Sequence, residues 1–113
     1  KKEKEKKRKW LIQLIDDSDV LRTASSAGHV RVVERILEVV GINVNVYDGA
    51  PLYFASKNGH IKVVKALLAA KDINLNKAFG GSTPLDTRIA TQENHTEIKQ
   101  LLKAAGATEK NRE

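Results

Sequence analysis

The chain of 113 residues contains no cysteine. That removes disulfides, thiolate nucleophiles and thiolate metal sites together, and it agrees with a reducing compartment. Methionine is absent as well, so the sequence is expected to be a piece or processed form of a longer product, with flanking domains outside it. Only 4% of residues are aromatic and two are proline. A core must therefore be built from Val, Ile, Leu and Ala, whose small side chains suit close helix stacking. No apolar run approaches the ~20 residues that a membrane-spanning helix requires. Lys1 to Ile15 is basic and then apolar, as a signal peptide is. Its apolar part is too short, carries Gln13 and runs into Asp16-Asp17 instead of a small-residue cleavage site, so it is not read as a leader.

Hydrophobic residues make up 41% of the chain, enough to exclude wholesale disorder. A single domain of this length buries somewhat over ~60% of its unfolded surface. The net charge of +6 is unevenly placed. Residues 1–9 hold seven Lys or Arg against two Glu, so five of the six net positive charges sit there and the remainder is nearly neutral.

The organising stretch runs from Ala50 to Leu68. Pro51 suits the first turn of a helix, where its missing N–H costs nothing. Leu52 and Ala55 share one face, and Asn58-Gly59 supplies a stop. After His60, the spacing of Val63, Val64, Leu67 and Leu68 predicts a second helix with one buried stripe. Neither helix is long enough to stand alone in water. The chain repeats this unit. Gly28 to Leu37 matches Gly59 to Leu68 at a period of 31, and a third copy, Asn94 to Lys103, follows 35 residues later. Ala50-Pro51-Leu52 returns as Thr83-Pro84-Leu85, and Ile42-Asn43-Val44-Asn45 as Ile73-Asn74-Leu75-Asn76. A period in the low thirties marks a stacked array, and with the Thr-Pro-Leu start the chain resembles the ankyrin repeat family from about Asp19 to Thr108.

The expected fold is all-α: an ankyrin-type solenoid of stacked helix-turn-helix units with short β-turn fingers and an N-terminal capping helix. Residues 1–17 are expected to form the basic capping helix, with Trp10, Leu11, Leu14 and Ile15 lying on the open side of the first repeat. A remnant of an earlier repeat is the other reading of that segment. Residues 18–108 form the repeat domain, with repeats at about 18–49, 50–81 and 82–108, and 109–113 is a frayed polar tail. Ser18 or Asp19 suits the N-cap of the first repeat. The link from Gly41 to Gly49 is short, so an irregular finger with a tight turn at Asp48-Gly49 is expected. Nine residues separate Leu85 from His95, against seven between Leu52 and His60, which points to a distortion around Thr87 to Ile89. Asn94 takes the place of Gly28 and Gly59 at a left-handed turn. Lys99 and Lys103 replace Val64 and Leu68. Both lysines are expected to be exposed and both apolar residues buried, so that the third repeat ends the array and Gly106 closes its helix.

His29, His60 and His95 recur once per repeat, at roughly the ~10 Å spacing of packed helices, too far apart to share a metal ion. They are read as structural, each bonding the adjacent turn. Ser25, Ser26 and His29 lack an oriented carboxylate and an oxyanion site, and there is no Gly-rich phosphate loop. No catalytic residue, metal or cofactor is expected. Asn94-His95-Thr96 fits a glycosylation pattern by chance. Lys6, Lys7, Arg8 and Lys9 are a basic cluster that could serve nuclear import or contact nucleic acid or anionic lipid; the plainer reading is a solvated helix start.

Trp10 and Phe54 fall on stripes expected to be buried, whereas Tyr47, Tyr53 and Phe79 are expected to be exposed. Tyr53 stands where the family motif usually has His. The resemblance implies a non-enzymatic module that binds a partner protein through its finger tips and concave helix face. The candidate contact residues are Tyr47, Asp48, Tyr53, Lys57, Asn58, Lys77 and Phe79. An alternative has the basic N-terminal helix docking on nucleic acid or an anionic membrane, the repeats acting as a spacer. The protein is expected to be monomeric and cytoplasmic, with nuclear entry possible through Lys6 to Lys9.

Overall fold

The computed structural model describes residues 2–39, 41–77, 83–84 and 92–107. Among the described residues six helices follow one another: α1 (Lys2–Ser18), α2 (Val20–Ala27), α3 (Val30–Leu37), α4 (Val46–Lys57), α5 (Ile61–Leu68) and α6 (Gln92–Ala104). Among the described residues there is no strand. The first helices of the repeats, α2 and α4, pack together in one layer, and α3, α5 and α6 form the second. α1 packs on α2 at the N-terminal end.

Three of these helices have only eight residues each, α2, α3 and α5, so packing and not propensity holds them. One continuous core runs through the stack. Leu21 and Ala24 of α2 meet Leu52 and Ala55 of α4, while Val33, Ile36, Val63, Val64, Leu67, Ile98 and Leu102 line the second layer. Fully burying side chains of this size contributes roughly 1.5–3 kcal/mol each.

Each helix pair is closed in the same way. Gly28 sits at φ +81°, its N–H donating to the Ser25 carbonyl, and His29 N–H donates to the Ala24 carbonyl at 2.9 Å. Gly59, at φ +76°, repeats this with Ser56, and His60 N–H with Ala55 at 2.9 Å. Gly106, at φ +111°, closes α6 as expected, with Ala107 N–H on the Leu102 carbonyl. The pattern is a glycine C-cap whose left-handed residue satisfies carbonyls that the helix end would orphan.

The recurring Ile-Asn-x-Asn is a ladder between finger bases. Asn43 and Asn74 each accept, through the side-chain oxygen, the backbone N–H two residues on. Asn45 then bridges to the next unit: its amide donates to the Asp72 carbonyl at 2.8 Å and its oxygen accepts Asn74 N–H at 2.7 Å. The irregular first finger is present and begins earlier than Asp48. Tyr47, Asp48 and Gly49 are all left-handed, after which the regular part of α4 starts at Ala50.

Several expectations are corrected. Trp10 is 66% exposed, because α1 turns Ile12 and Ile15, not its tryptophan, toward the body. Phe54 is half-buried. Asp19 is left-handed and makes no side-chain cap; its carboxylate holds Arg22 at 2.6 Å instead. Val64 is fully buried, yet Leu68 is only half-buried. Lys103 is exposed, whereas Lys99 is half-buried, its long aliphatic stem being able to cover apolar surface while the ammonium stays wet. Asn94 lies inside α6; a residue with a Cβ resists the left-handed turn that Gly28 and Gly59 make, and the helix simply begins earlier. Phe79, the segment from Thr87 to Ile89 and the tail at 109–113 lie outside the described residues.

Candidate partner-binding surface

The candidate residues fall into two groups, one on the regular part of α4 and one at the finger, where the start of α4 meets Lys77. On the regular part of α4, the Tyr53 and Phe54 rings meet edge to face, 5.0 Å apart at 87°, a favoured aromatic geometry. Lys57, one turn on, places its ammonium 5.9 Å from the Tyr53 ring centre. Arg22 of α2 stands 5.9 Å over Phe54. A cation, two rings and a second cation therefore run across the α2/α4 layer, at distances where a cation is drawn to a ring face. Arg22 is steadied from below by Asp19, which it also reaches through Nε at 2.6 Å. Arg22 was not among the residues expected here. The signal was available, since a period of 31 places Arg22 at the position of Tyr53 in the preceding repeat.

Asn58 belongs to the scaffold as much as to the surface. Its amide donates to the Ser26 carbonyl at 2.9 Å and to the Ser26 hydroxyl at 3.1 Å, tying α4 to the end of α2. The second group is the finger. Tyr47 is 50% exposed, Asp48 is exposed, and the stem of Lys77 lies against Gly49, so close that a Cβ on that glycine would stand 3.0 Å from the lysine Cβ. Phe79 cannot be placed, being outside the described residues.

His60 does what a structural histidine should. Its Nε2 lies 3.0 Å from the Ser26 carbonyl of the preceding repeat. A carbonyl only accepts, so this nitrogen carries the proton. The imidazole fills the space beside Gly28, where a Cβ would come within 2.7 Å of Nδ1. Ser25 is sealed in the core, with no route for a substrate to its hydroxyl, and Ser26 is engaged by Asn58 and His60. Among the described residues there is no group of three or more His, Asp or Glu able to hold a metal ion. A groove of about 450 Å³ is lined mainly by aliphatic residues, among them Leu37, Ile42, Ala66 and Ala70, with Lys71 and Asp72, both exposed, also on its wall. Among the described residues no helix is long and apolar enough to cross a membrane. Lys6, Lys7, Arg8 and Lys9 are all exposed along α1.

A family model described as ankyrin repeats, three copies, matches residues 4–77 and 21–113. The chain is an ankyrin repeat protein. Comparison with curated proteins gives no match. Ankyrin repeats are, as a family, protein–protein interaction modules, and their typical members are non-enzymatic. In this ankyrin repeat protein the helical stack, the glycine closures and the inter-repeat bonds of Asn58 and His60 are the scaffold. The aromatic and cationic row runs across α2 and α4, and the exposed Tyr47 turn lies beside it on the same helix as Tyr53.

Proposed function

We propose that this ankyrin repeat protein acts as a monomeric, non-enzymatic adaptor, binding a partner protein through the α2/α4 layer and the adjoining finger. The contact centres on Tyr53 and Lys57, with Arg22 and Asn58 at its edge and Tyr47, Asp48 and Lys77 flanking it from the finger. Phe79 is assigned to the same flank from its position in the repeat. Tyr47 carries the reading. It is a bulky aromatic in a left-handed conformation (φ 52°) with half its surface in water. Non-glycine residues in that region cost on the order of 1–3 kcal/mol and gather at functional sites. A ring in that position gains little from the core and is well placed to anchor a partner.

Capture from a lysate with the wild-type module, followed by titration of the purified partner, tests this reading. Tyr47→Ala and Lys57→Glu should each weaken binding at least ~10-fold while circular dichroism stays unchanged, as expected for anchor residues. Lys62→Ala, exposed on α5, is the control and should bind as wild type. Equal losses for Lys62→Ala and Lys57→Glu would move the contact off this layer.

A further inference from the structure

We propose that α1 is a membrane-surface anchor: Trp10, Leu11 and Leu14 enter the headgroup boundary of an anionic bilayer, and Lys6, Lys7, Arg8 and Lys9 bind its lipid headgroups. Three of the five large hydrophobic side chains exposed on the described surface are these: Trp10 at 66%, Leu11 at 38% and Leu14 at 46%. They are not scattered. Trp10 and Leu14 are four apart, and Lys7 lies three before Trp10 and four before Leu11, so all four share one side of the helix. Another side of α1 is already occupied, Ile12 against Gly41 and Ile15 against the core. One helix thus grips the body through Ile12 and Ile15 and presents a second apolar strip to the outside.

The charge selects the occupant. Residues 1–9 carry seven basic and two acidic side chains, and every residue from Glu3 to Leu11 is exposed. A second copy of this face would bring two such clusters together, and like charges at that density repel. Nucleic acid would satisfy the cations through its phosphates but would leave Trp10 and Leu14 in water. An anionic bilayer takes both: its surface potential draws the basic residues, and its interface suits tryptophan and leucine. Each Lys or Arg near such a surface strengthens binding roughly 5-fold. The association is reversible, since three apolar side chains fall far short of a membrane span.

Trp10 is the one tryptophan of the chain, so its fluorescence reports on this helix alone. The full chain would be titrated with vesicles of equal parts phosphatidylcholine and phosphatidylserine, and with phosphatidylcholine alone, reading emission and co-sedimentation together. The expected result is a blue shift and sedimentation with the anionic vesicles only, both suppressed by high salt. Leu14→Glu should weaken binding at least ~10-fold by putting a charge on the inserted strip. Reversal of Lys6, Lys7, Arg8 and Lys9 to Glu should weaken it more than ~100-fold. Tyr53→Ala, in the α2/α4 layer, should bind the vesicles as wild type does. Since Leu14 is exposed, Leu14→Glu should keep the wild-type circular dichroism and isolate the surface effect. Absence of any lipid-dependent shift would overturn the proposal. So would vesicle binding that Leu14→Glu leaves unchanged, equally tight binding to a duplex oligonucleotide, or self-association that shifts Trp10 emission without vesicles.

Discussion

The first and second repeats carry nearly the same second-helix sequence, Gly-His-Val-Arg-Val-Val in one and Gly-His-Ile-Lys-Val-Val in the other, and yet they use it differently. Val63 is 1% exposed and Val32 is 44% exposed. His60 bonds the preceding repeat, while its counterpart His29 is exposed. α5 is flanked in its layer by α3 and α6, whereas α3 packs against α5 on one side and α1 packs on α2. Identical residues are core or surface according to whether a neighbour covers them. In a stack, burial is a property of the position in the array, and each interior unit is stabilised by the interfaces on both its sides.

The largest expected effect puts that difference to the test with one substitution at two sites. Val63→Asp should destabilise by roughly 3–5 kcal/mol, because it buries an unpaired charge, whereas Val32→Asp should cost under ~0.5 kcal/mol. Urea unfolding followed by circular dichroism gives both numbers. Equal losses would mean that Val32 is covered in solution as Val63 is.

A smaller effect is expected where the two repeats touch. Gly28→Ala places a Cβ against the His60 ring in a backbone at φ +81°, which should cost roughly 2 kcal/mol from strain and crowding together. In a His60→Ala background the crowding is gone, and only the conformational part, on the order of 1 kcal/mol, should remain. A double-mutant cycle separates the two. If Gly28→Ala costs the same in both backgrounds, the ring does not occupy that space.

Much of this arrangement was legible in the residues, because the array repeats its own punctuation. Gly28, Gly59 and Gly106 each end a helix, and two Ile-Asn-x-Asn segments mark the finger bases; signals of that kind are local and survive stacking. What could not be read is the set of features that depend on how the ends are covered. The stripe of α1 looked single, so Trp10 was placed inside with Ile15. Only the three-dimensional course of the helix shows that Ile12 and Ile15 take the body side and leave Trp10 out. Lys99 reads from the sequence as a purely exposed charge, because residue type alone does not say how far a long side chain is covered. On the candidate surface, Tyr47 is exposed as the sequence predicts, whereas Tyr53 is half-buried like Phe54, its ring packed edge to face on that neighbour. The Arg22–Phe54 contact links two repeats and needs their packing to be seen. Asn58 was assigned to a partner from its place on the helix face, and its bonds to Ser26 give it a scaffold role that no single repeat reveals.

The smallest expected effect concerns the two histidines. His60 Nε2 donates to the half-buried end of α2, so His60→Ala removes a bond between repeats and leaves the Ser26 carbonyl one donor short. Asn58 still donates to the same carbonyl, so the acceptor is not orphaned and the loss should stay near ~1 kcal/mol. His29→Ala has no such bond to lose in an exposed side chain and should fall within ~0.5 kcal/mol of wild type. The pair is measured by urea midpoint at constant slope, so that both values refer to the same unfolding transition. Adding Asn58→Ala to His60→Ala then removes the second donor, and the combined loss should exceed the sum of the single ones, because only then is the carbonyl left without either partner. Additive losses would show that the two side chains do not share the Ser26 carbonyl, and that the contact between the first two repeats rests on packing alone.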